Sequence, residues 1–396
     1  EKQTPLALVH VELWYWWMAV WLLGNLARAT FVGSSDHMWP FSYNQCDPKT
    51  RVSQEISACS QVNHFGLTSN RGRGAPEIDI IEAMQGDKEK LPNTNITRPY
   101  QSASLQLAPG VPRGRPILGK PPRKGHWYEG MQYSNRSTSR SELNPFFYGV
   151  TLVHEPKRYT YQADALSANL QLTSTFYEEQ HIFRVEWEPP EEDGSGGYIK
   201  WYTDEVFIYG IDGANLNITG TEIPSEPMYL LMNTAVSKNW GFPMPCPEGC
   251  DCACFNCDDL DCMCGLPEGY CDNLPASFDI EYVRVYQAMT EDKHIQGCSP
   301  QKRPTALFIK GHEDRYKSKE QKYPLLPVEK GGASCNTDAD CGGTTMGSCL
   351  LDGRCKCKEG HTGPTCLAHD GSYLKKWNTT IIRDTLPESK MHVPNS

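Results

Sequence analysis

Apolar and polar residues alternate in short runs along much of the chain, and turn-forming residues separate these runs. The clearest runs are rich in β-branched and aromatic residues: HIFRVEWEP, YIKWYTDEVFIYGI, EPMYLLMNTAV and SFDIEYVRVYQ. A period of two with this composition is typical of β-strands. No long stretch of the sequence has the 3.6-residue period of an amphipathic helix. The pattern therefore predicts an all-β protein.

One apolar run, LWYWWMAVWLLGNL at residues 13–26, resembles a membrane segment at first sight. It is shorter than the roughly 20 residues that a spanning helix needs, and it is rich in tryptophan. We interpret it as a core strand with aromatic side chains that line a cleft. A membrane anchor outside this sequence stays open.

Composition narrows the class of protein. The 396 residues suffice for a large domain and a small one. The chain has 38 basic and 48 acidic residues, a net charge of −10, which argues against a nucleic-acid partner. Its 33 glycines and 29 prolines supply turns between strands. No cofactor and no metal ion are expected.

The cysteines and the glycosylation sequons indicate a compartment. Seventeen cysteines indicate an oxidising environment, since the cytosol keeps thiols reduced. The sequence has no start methionine and no signal peptide, so we interpret it as a fragment or a processed form. We expect a secretory-pathway protein, lumenal or at the cell surface, with an anchor in the full-length protein as an option. Four Asn-x-Ser/Thr sequons agree with this location: Asn95, Asn135, Asn217 and Asn378.

Composition also divides the chain into four parts. We expect a large β-domain, a Lys/Pro-rich connecting extension, a compact cysteine module and a polar tail. Their boundaries are 1–290, 291–330, 331–368 and 369–396.

A second cysteine cluster, CPEGCDCACFNCDDLDCMCGLPEGYC, holds eight cysteines at residues 246–271. A metallothionein-like metal site is one alternative. In a secreted protein disulfides are favoured, and the sequence does not say how these cysteines pair. Cys46 and Cys59 are expected to form a further pair, which leaves Cys298 unmatched.

The stretch RGAPEIDIIEAM places three carboxylates, Glu77, Asp79 and Glu82, within six residues. Side chains at i and i+2 share a face of a strand, so Glu77 and Asp79 point the same way. A β-bulge around Ile80–Ile81 would bring Glu82 to that face. A solvated edge strand is disfavoured because three like charges would repel. A Ca²⁺ site is disfavoured because its ligands usually come from loops.

Paired carboxylates of this kind suit a retaining glycosidase, in which they lie about 5–5.5 Å apart. A bulged step from Glu77 to Glu82 covers about four strand rises, roughly 13 Å between Cα atoms. Two glutamate side chains that lean inward would leave about the required separation. Like charges so close together would also keep one acid protonated near neutral pH.

PEIDIIEA resembles the E-x-D-x-x-E signature of glycoside hydrolase family 16, in the form with a bulge residue that laminarinases carry. Segments from residue 10 to about 325 are similar, in order, to the β-glucan-synthesis-associated branch of that family. These include WMAVWLLGNLARATF, TYQADALSANLQLT and EPMYLLMNTAVSKNWGFPMPCPEGC. The preceding EKQTPLALVHVE matches poorly, so we expect the strand before Trp17 to be missing and the domain to be N-terminally incomplete.

The resemblance implies a concanavalin-like β-jelly-roll sandwich with an open sugar-binding cleft. It makes Glu77 the nucleophile, Asp79 its helper and Glu82 the acid/base. It also implies substrate-binding positions, although core packing or backbone hydrogen bonding would equally explain some of them. These positions are Trp17, Trp21, Asn25, Asn233 and Trp240.

The C-terminal cysteine module has a C-x-C-x8-C ending that resembles an epidermal-growth-factor-like (EGF-like) module. Its six cysteines could pair fifteen ways. A zinc knuckle would need ligand spacings that are absent. The resemblance implies the pairs Cys335–Cys349, Cys341–Cys355 and Cys357–Cys366. Such modules are usually spacers or protein-interaction units.

Three functions follow as hypotheses. The first is a retaining glycosidase or transglycosylase acting on β-1,3- or β-1,6-glucan in wall construction. The second is a non-catalytic glucan-binding or scaffold protein of the secretory pathway. The third is an adhesion protein that works through its EGF-like module.

Overall fold

The computed structural model describes the strands and many of the turns between them. The described residues are 6–12, 17–24, 76–84, 94–97, 99–107, 120, 122–125, 127–145, 151–154, 159–162, 164–235, 248–251, 254, 256–264, 266, 269–275, 277–288, 293–294, 297, 299, 306, 330–362, 365–366 and 368–369.

Two six-stranded sheets, each with antiparallel neighbours, form the large domain. The first sheet has the order β14 (Asp279–Tyr286), β1 (Leu6–Glu12), β10 (His181–Glu188), β11 (Tyr198–Thr203), β12 (Val206–Asp212) and β5 (Gln132–Tyr133). The second has the order β13 (Met228–Ala235), β2 (Trp17–Gly24), β3 (Glu77–Met84), β4 (Tyr100–Leu107), β9 (Asp164–Gln171) and β6 (Ser141–Leu143). The chain passes repeatedly between the two sheets, as it does in a jelly roll.

The core lies between the sheets. The second sheet contributes Ile78 and Leu105, and the first contributes Phe183 and Trp201, all of them fully buried in one apolar cluster. The indole Nε1 of Trp201 donates to the backbone oxygen of Asp79 at 2.8 Å. The apolar alternation read from the sequence thus buries one face of each sheet against the other, and the predicted all-β sandwich is confirmed.

The two sheets differ on their outer faces. On β10 burial alternates, and Arg184 on the less buried face lies 3.7 Å from the centroid of the Tyr202 ring. On β3 and β4 every residue is buried. The second sheet is therefore covered on both faces over these strands, although the face away from the core is polar.

The strands predicted from alternation are all present as β10, β11, β12, β13 and β14. The tryptophan-rich run contains β2, as expected for a core strand. No helix among the described residues is long and apolar enough to cross a membrane.

The expectation that the strand before Trp17 is missing is wrong. Leu6–Glu12 forms β1, which pairs with β10 on one side and β14 on the other. The resemblance did not reveal it. Its own sequence, LALVHVE, is an apolar and β-branched run of the length of a buried strand.

The remaining regular elements are short. They are the hairpin strands β7 (Thr151–His154) and β8 (Tyr159–Gln162), the strands β15 (Gly347–Cys349), β16 (Cys355–Cys357), β17 (His361–Thr362) and β18 (Ala368–His369), helix α1 (Leu260–Met263), and 3-10 turns at Ser174–Tyr177, Gly213–Leu216, Cys271–Asn273 and Asp338–Cys341.

The disulfides of the C-terminal module match the EGF-like prediction. Its three bonds join Cys335 to Cys349, Cys341 to Cys355 and Cys357 to Cys366. Because these cysteines also form the buried cluster of the module, the bonds replace a conventional apolar core.

The second cysteine cluster is also cross-linked. Its bonds are Cys250–Cys264, Cys254–Cys262 and Cys257–Cys271. Six of the eight sulfurs are therefore unavailable as metal thiolates, which supports the disulfide interpretation. The other two cysteines of the cluster, the predicted Cys46–Cys59 pair and Cys298 lie outside the described residues.

Candidate active site

Strand β3 contains the predicted bulge. Glu77 pairs with Gln106 of β4, and Glu82 pairs with Ser102, so a five-residue step in β3 lies opposite a four-residue step in β4. The register shifts between Asp79 and Glu82. Ile80 and Ile81 are both buried in the core cluster, as a bulge between two same-facing acids requires. The insertion therefore returns Glu82 to the face that carries Glu77 and Asp79.

Polar side chains of the neighbouring strands line the same face, which we call the acid face. On β4 they are Ser102, Ser104 and Gln106, opposite the three acids. On β9 Asn169 lies opposite Ser102, and Ser167 lies opposite Ser104. The hydroxyls of Ser102 and Ser167 are 2.6 Å apart, which confirms that these two strands present polar groups to a common side.

Two side chains of β4 hold the first two acids. The Ser104 hydroxyl donates to Oδ2 of Asp79. The Gln106 amide donates to Oε1 of Glu77 and reaches Oδ2 of Asp79 at 3.3 Å. Asp79 and Glu77 are also hydrogen-bonded to each other, which requires a shared proton if both would otherwise be ionised. Glu77 and Asp79 therefore act as one hydrogen-bonded unit.

Burial and charge raise the pKa values of two of the three carboxyl groups, those of Asp79 and Glu82. Burial raises the pKa of Asp79 to about 6, against the opposing effect of hydrogen bonds from Ser104, Gln106 and Glu77. Burial, with the nearby charge of Asp79, raises the pKa of Glu82 well above its usual range. Glu82 is thus suited to hold a proton near neutral pH, as a general acid must.

The resemblance implies an open cleft above the acids, but in the structure their side chains are not open to solvent. Glu77, Asp79 and Glu82 are 7%, 1% and 6% exposed, so each is buried. Oε2 of Glu82 is buried without a hydrogen-bond partner. Such a group costs free energy unless a ligand or water satisfies it.

The predicted substrate-binding residues are only partly within the described chain. Trp21 lies opposite Asp79, and Asn233 lies opposite Ala19, which in turn pairs with Glu82. The indole of Trp21 donates to Oδ1 of Asn233 at 2.7 Å, so both residues flank the acids on one side. Trp17 begins β2, but its side chain is outside the described part. Asn25 and Trp240 lie outside it altogether.

Sequence reasoning missed Ser104, Gln106 and Asn169. The signal was present, because YQSASLQL and DALSANLQ place polar residues at every second position beside an acid-bearing strand. A strand whose polar face is as buried as its apolar face is unusual, and that burial is visible only in the structure.

Three of the four predicted glycosylation sites are described, and all three are exposed: Asn95, Asn135 and Asn217. The side-chain amide of Asn95 donates to Oε1 of Glu142 at 2.8 Å. Asn378 lies outside the described residues. Whether these sites carry glycans stays a prediction.

Residues 10–245 match the family described as "Beta-glucan synthesis-associated protein SKN1/KRE6/Sbg1". The chain belongs to this family. The match covers more than half of the chain, including all three acids and all six strands of the second sheet. It confirms the branch that the sequence motifs resemble.

Individual relatives agree with this assignment. The beta-glucan synthesis-associated protein KRE6 of Candida albicans is 28% identical over 326 residues, which cover 76% of this chain and 36% of that protein. The chain therefore spans about a third of that relative. Glucan endo-1,3-beta-glucosidase A1 of Niallia circulans is 29% identical over 120 residues, 28% of this chain and 13% of that protein.

Among solved structures, one match is the laminarinase catalytic domain of Thermotoga maritima. It is 16% identical, with a TM-score of 0.31, and the alignment covers 73% of this chain and 66% of that one.

Proposed function

We propose that this protein is a retaining β-glucan glycosidase or transglycosylase. It acts on β-1,3- or β-1,6-glucan in the synthesis or remodelling of cell-wall glucan. The observation that carries the proposal is the bulge in β3, which turns Glu82 to the face of Glu77 and Asp79. Membership of a beta-glucan synthesis-associated family supports glucan as the substrate class.

The reaction has two displacements. The carboxylate of Glu77 bonds to the anomeric carbon while the glycosidic C–O bond breaks, and Glu82 gives its proton to the departing oxygen. Glu82 then takes a proton from the hydroxyl of water or of a second sugar, whose oxygen attacks the anomeric carbon and releases Glu77. Hydrolysis and transfer differ only in which hydroxyl arrives.

The electrostatics support these roles. The raised pKa of Glu82 favours the protonated form that the first step needs. The side-chain amide of Gln106 donates to Glu77, which orients the Glu77 carboxylate and stabilises its charge. Asp79, with a pKa of about 6, is able to share a proton with Glu77 as negative charge leaves the nucleophile.

Incubation with laminarin and with pustulan, followed by analysis of chain length and linkage, tests the proposal. We expect new chain lengths with the wild type and none with Glu77→Gln. Transfer products longer than the substrate would indicate a transglycosylase, whereas only shorter products would indicate a hydrolase. If wild type and Glu77→Gln behave alike, the enzymatic proposal fails.

The burial of the acids favours a second candidate, a non-catalytic glucan-binding or scaffold protein. Carboxylates that are less than a tenth exposed cannot be reached directly by the anomeric carbon of a polymer. Glucan binding without turnover by the wild type, unchanged in Glu77→Gln, would support this candidate over the enzyme.

Location and domain division complete the proposal. Six disulfides among the described residues fit an oxidising compartment, and we place the protein in the secretory pathway or at the cell surface. We assign glucan recognition to residues 1–290 and a spacer or protein-binding role to the EGF-like module. The connecting extension and the tail have no assigned chemistry.

A further inference from the structure

Asn169 is the most unusual polar residue of the acid face. It lies in the middle of β9, it is 0% exposed, and neither Oδ1 nor Nδ2 of its side chain has a hydrogen-bond partner. A buried carboxamide normally satisfies both atoms, because an unpaired one retains the full cost of its lost hydration. An entire carboxamide that the protein leaves unpaired is therefore available to a ligand or to a water molecule that a ligand displaces.

The position of Asn169 relates it to the acids. It pairs with Ser102, and Ser102 pairs with Glu82, so the three residues form one row across adjacent strands. Two strand spacings separate Asn169 from Glu82, about 10 Å between Cα atoms. The row also contains the unpaired Oε2 of Glu82. A chain that crosses the strands above Glu82 would pass over Asn169.

The neighbours of Asn169 do not satisfy it. The Ser102 hydroxyl is engaged with that of Ser167, which also accepts from the Asn144 amide at 3.3 Å. Glu142, opposite Asn169 on β6, is engaged by Asn95 and Arg140. The surrounding polar groups are thus already paired with one another, and the carboxamide of Asn169 is left available.

We propose that Asn169 binds a sugar residue of the glucan beyond the one that Glu77 attacks, and that it contacts two hydroxyls of that residue. Its Oδ1 accepts from one hydroxyl and its Nδ2 donates to a second. Sugar hydroxyls both donate and accept, so they can pair with both atoms of a carboxamide. A charged group that only donates or only accepts, or an apolar group, cannot do so. The proposal rests on the proposed function for the identity of the ligand. Since Asn169 is fully buried, the ligand must displace whatever packs on this face.

Binding measured in the Glu77→Gln background tests this inference independently of turnover. Calorimetric titration with laminarin- and pustulan-derived oligosaccharides of increasing length is compared for Glu77→Gln and for Glu77→Gln/Asn169→Ala. We expect about a ten-fold weaker affinity from the loss of two hydrogen bonds. The weakening should appear only with oligosaccharides long enough to reach the row beyond Glu82.

Gln101 provides the matched control. It is a buried amide on β4 that faces the core, where its Nε2 donates to Thr203 at 2.9 Å while its Oε1 is unpaired. Glu77→Gln/Gln101→Ala should lower thermal stability without a length-dependent loss of affinity. If the two variants weaken binding equally, or if Asn169→Ala leaves affinity unchanged, the proposal is overturned.

A second variant guards against misfolding. Asn169→Leu keeps the approximate shape of the side chain and removes both the donor and the acceptor, so it should also weaken binding of the longer oligosaccharides; retained affinity overturns the proposal. If none of the variants, including Glu77→Gln alone, binds an oligosaccharide, the proposal is also overturned, whether or not the wild type turns over glucan. Conversely, Asn169-dependent binding without wild-type turnover would support this inference while the enzymatic proposal fails.

Discussion

At the scale of single residues, the site depends on how Asp79 is placed between two glutamates. It is buried on the acid face, it accepts from Ser104 and Gln106, and its charge adds to burial in raising the pKa of Glu82. Asp79 therefore couples the hydrogen bonding of Glu77 to the protonation of Glu82. Two measurable consequences follow, one for the pH profile and one for stability.

Asp79→Asn should move the basic limb of the pH–activity profile to lower pH. Glu82 must be protonated to act as the acid, so activity falls as pH rises through its pKa. Removal of the Asp79 charge lowers that pKa, although burial keeps it raised. The measurement is the pH dependence of oligosaccharide cleavage, supported by the infrared band of the protonated Glu82 carboxyl.

Glu142→Gln is the control for this experiment, since Glu142 is a carboxylate of the same sheet that is paired with Asn95 and Arg140. Its replacement should leave the limb in place. Glu82→Gln should remove the limb and lower the rate by about 10²–10⁴-fold. A basic limb that stays in place or moves upward in Asp79→Asn would contradict the assignment of Glu82.

The Asp79→Asn variant should also be more stable than the wild type at neutral pH. The pKa of Asp79 is about 6 in the folded protein, against 3.8 for the free side chain. The folded state therefore holds a proton that the unfolded state releases between about pH 4 and 6, and stability falls over that window. Asp79→Asn removes this loss, about 2–3 kcal/mol at pH 7.

Urea unfolding at pH 7 and at pH 4 provides the measurement. The gain should be present in full at pH 7 and be much smaller at pH 4, where Asp79 is protonated in the folded state and partly protonated in the unfolded state. An equal gain at both values would show that packing, rather than ionisation, accounts for it.

At the scale of the elements, some features were readable from the sequence and others were not. The spacing of Glu77, Asp79 and Glu82 predicts the bulge, because only an inserted residue aligns all three. Strands such as β10 follow from alternation. β1 was missed because the resemblance fails there. The burial of the acid face was missed because it depends on contacts between segments remote in sequence, which periodicity does not encode.

His181, at the start of β10, joins this strand to the turn between β11 and β12. Its Nδ1 lies 2.7 Å from Oδ2 of Asp204, and its ring stacks on Phe176 with centroids 4.0 Å apart. Burial alone would lower the pKa of His181, but the hydrogen bond and charge of Asp204 leave it raised above 6.5. The stabilisation is fully present below the unfolded pKa and is lost as pH rises through the folded pKa.

The melting temperature of the wild type should therefore fall more steeply than that of Asp204→Asn as pH rises from about 6 to 8. Asn at this position keeps an oxygen for the backbone N–H of Ile182, so the turn is preserved. Glu205→Gln is the matched control, because Glu205 is in the same turn but pairs with Arg184. If the melting temperatures of wild type and Asp204→Asn fall equally as pH rises, the expected contribution of the His181–Asp204 pair is refuted.

At the scale of the whole molecule, two architectures are joined in one chain. The sandwich is stabilised by an apolar core between two sheets, whereas the cysteine-rich segments are stabilised by disulfides. The EGF-like pairing was predictable because its spacing is specific. The pairing of Cys250, Cys254 and Cys257 was not, since eight closely spaced cysteines allow 105 arrangements and spacing selects none of them.

The count of free thiols tests this architecture directly. The six disulfides among the described residues use 12 of the 17 cysteines, which leaves at most five thiols in the chain. Alkylation under denaturing, non-reducing conditions followed by mass spectrometry should show five labels or fewer. Six or more labels would refute the disulfide pattern, and eight or more would also reopen metal binding in the 246–271 cluster.

Deletion of residues 331–396 should leave the sandwich folded and its glucan chemistry within about two-fold of the full chain, an expectation that follows from separate cores. The buried cluster of the EGF-like module consists of its own cysteines with Ala333, and the acid face is built from β2, β3, β4 and β9. Circular dichroism melting and the laminarin and pustulan assays measure both properties. An adhesion protein that works through its EGF-like module predicts the reverse, namely that deletion abolishes function while Glu77→Gln has no effect. Since the two variants remove different parts of the molecule, their comparison assigns the function to one architecture or the other.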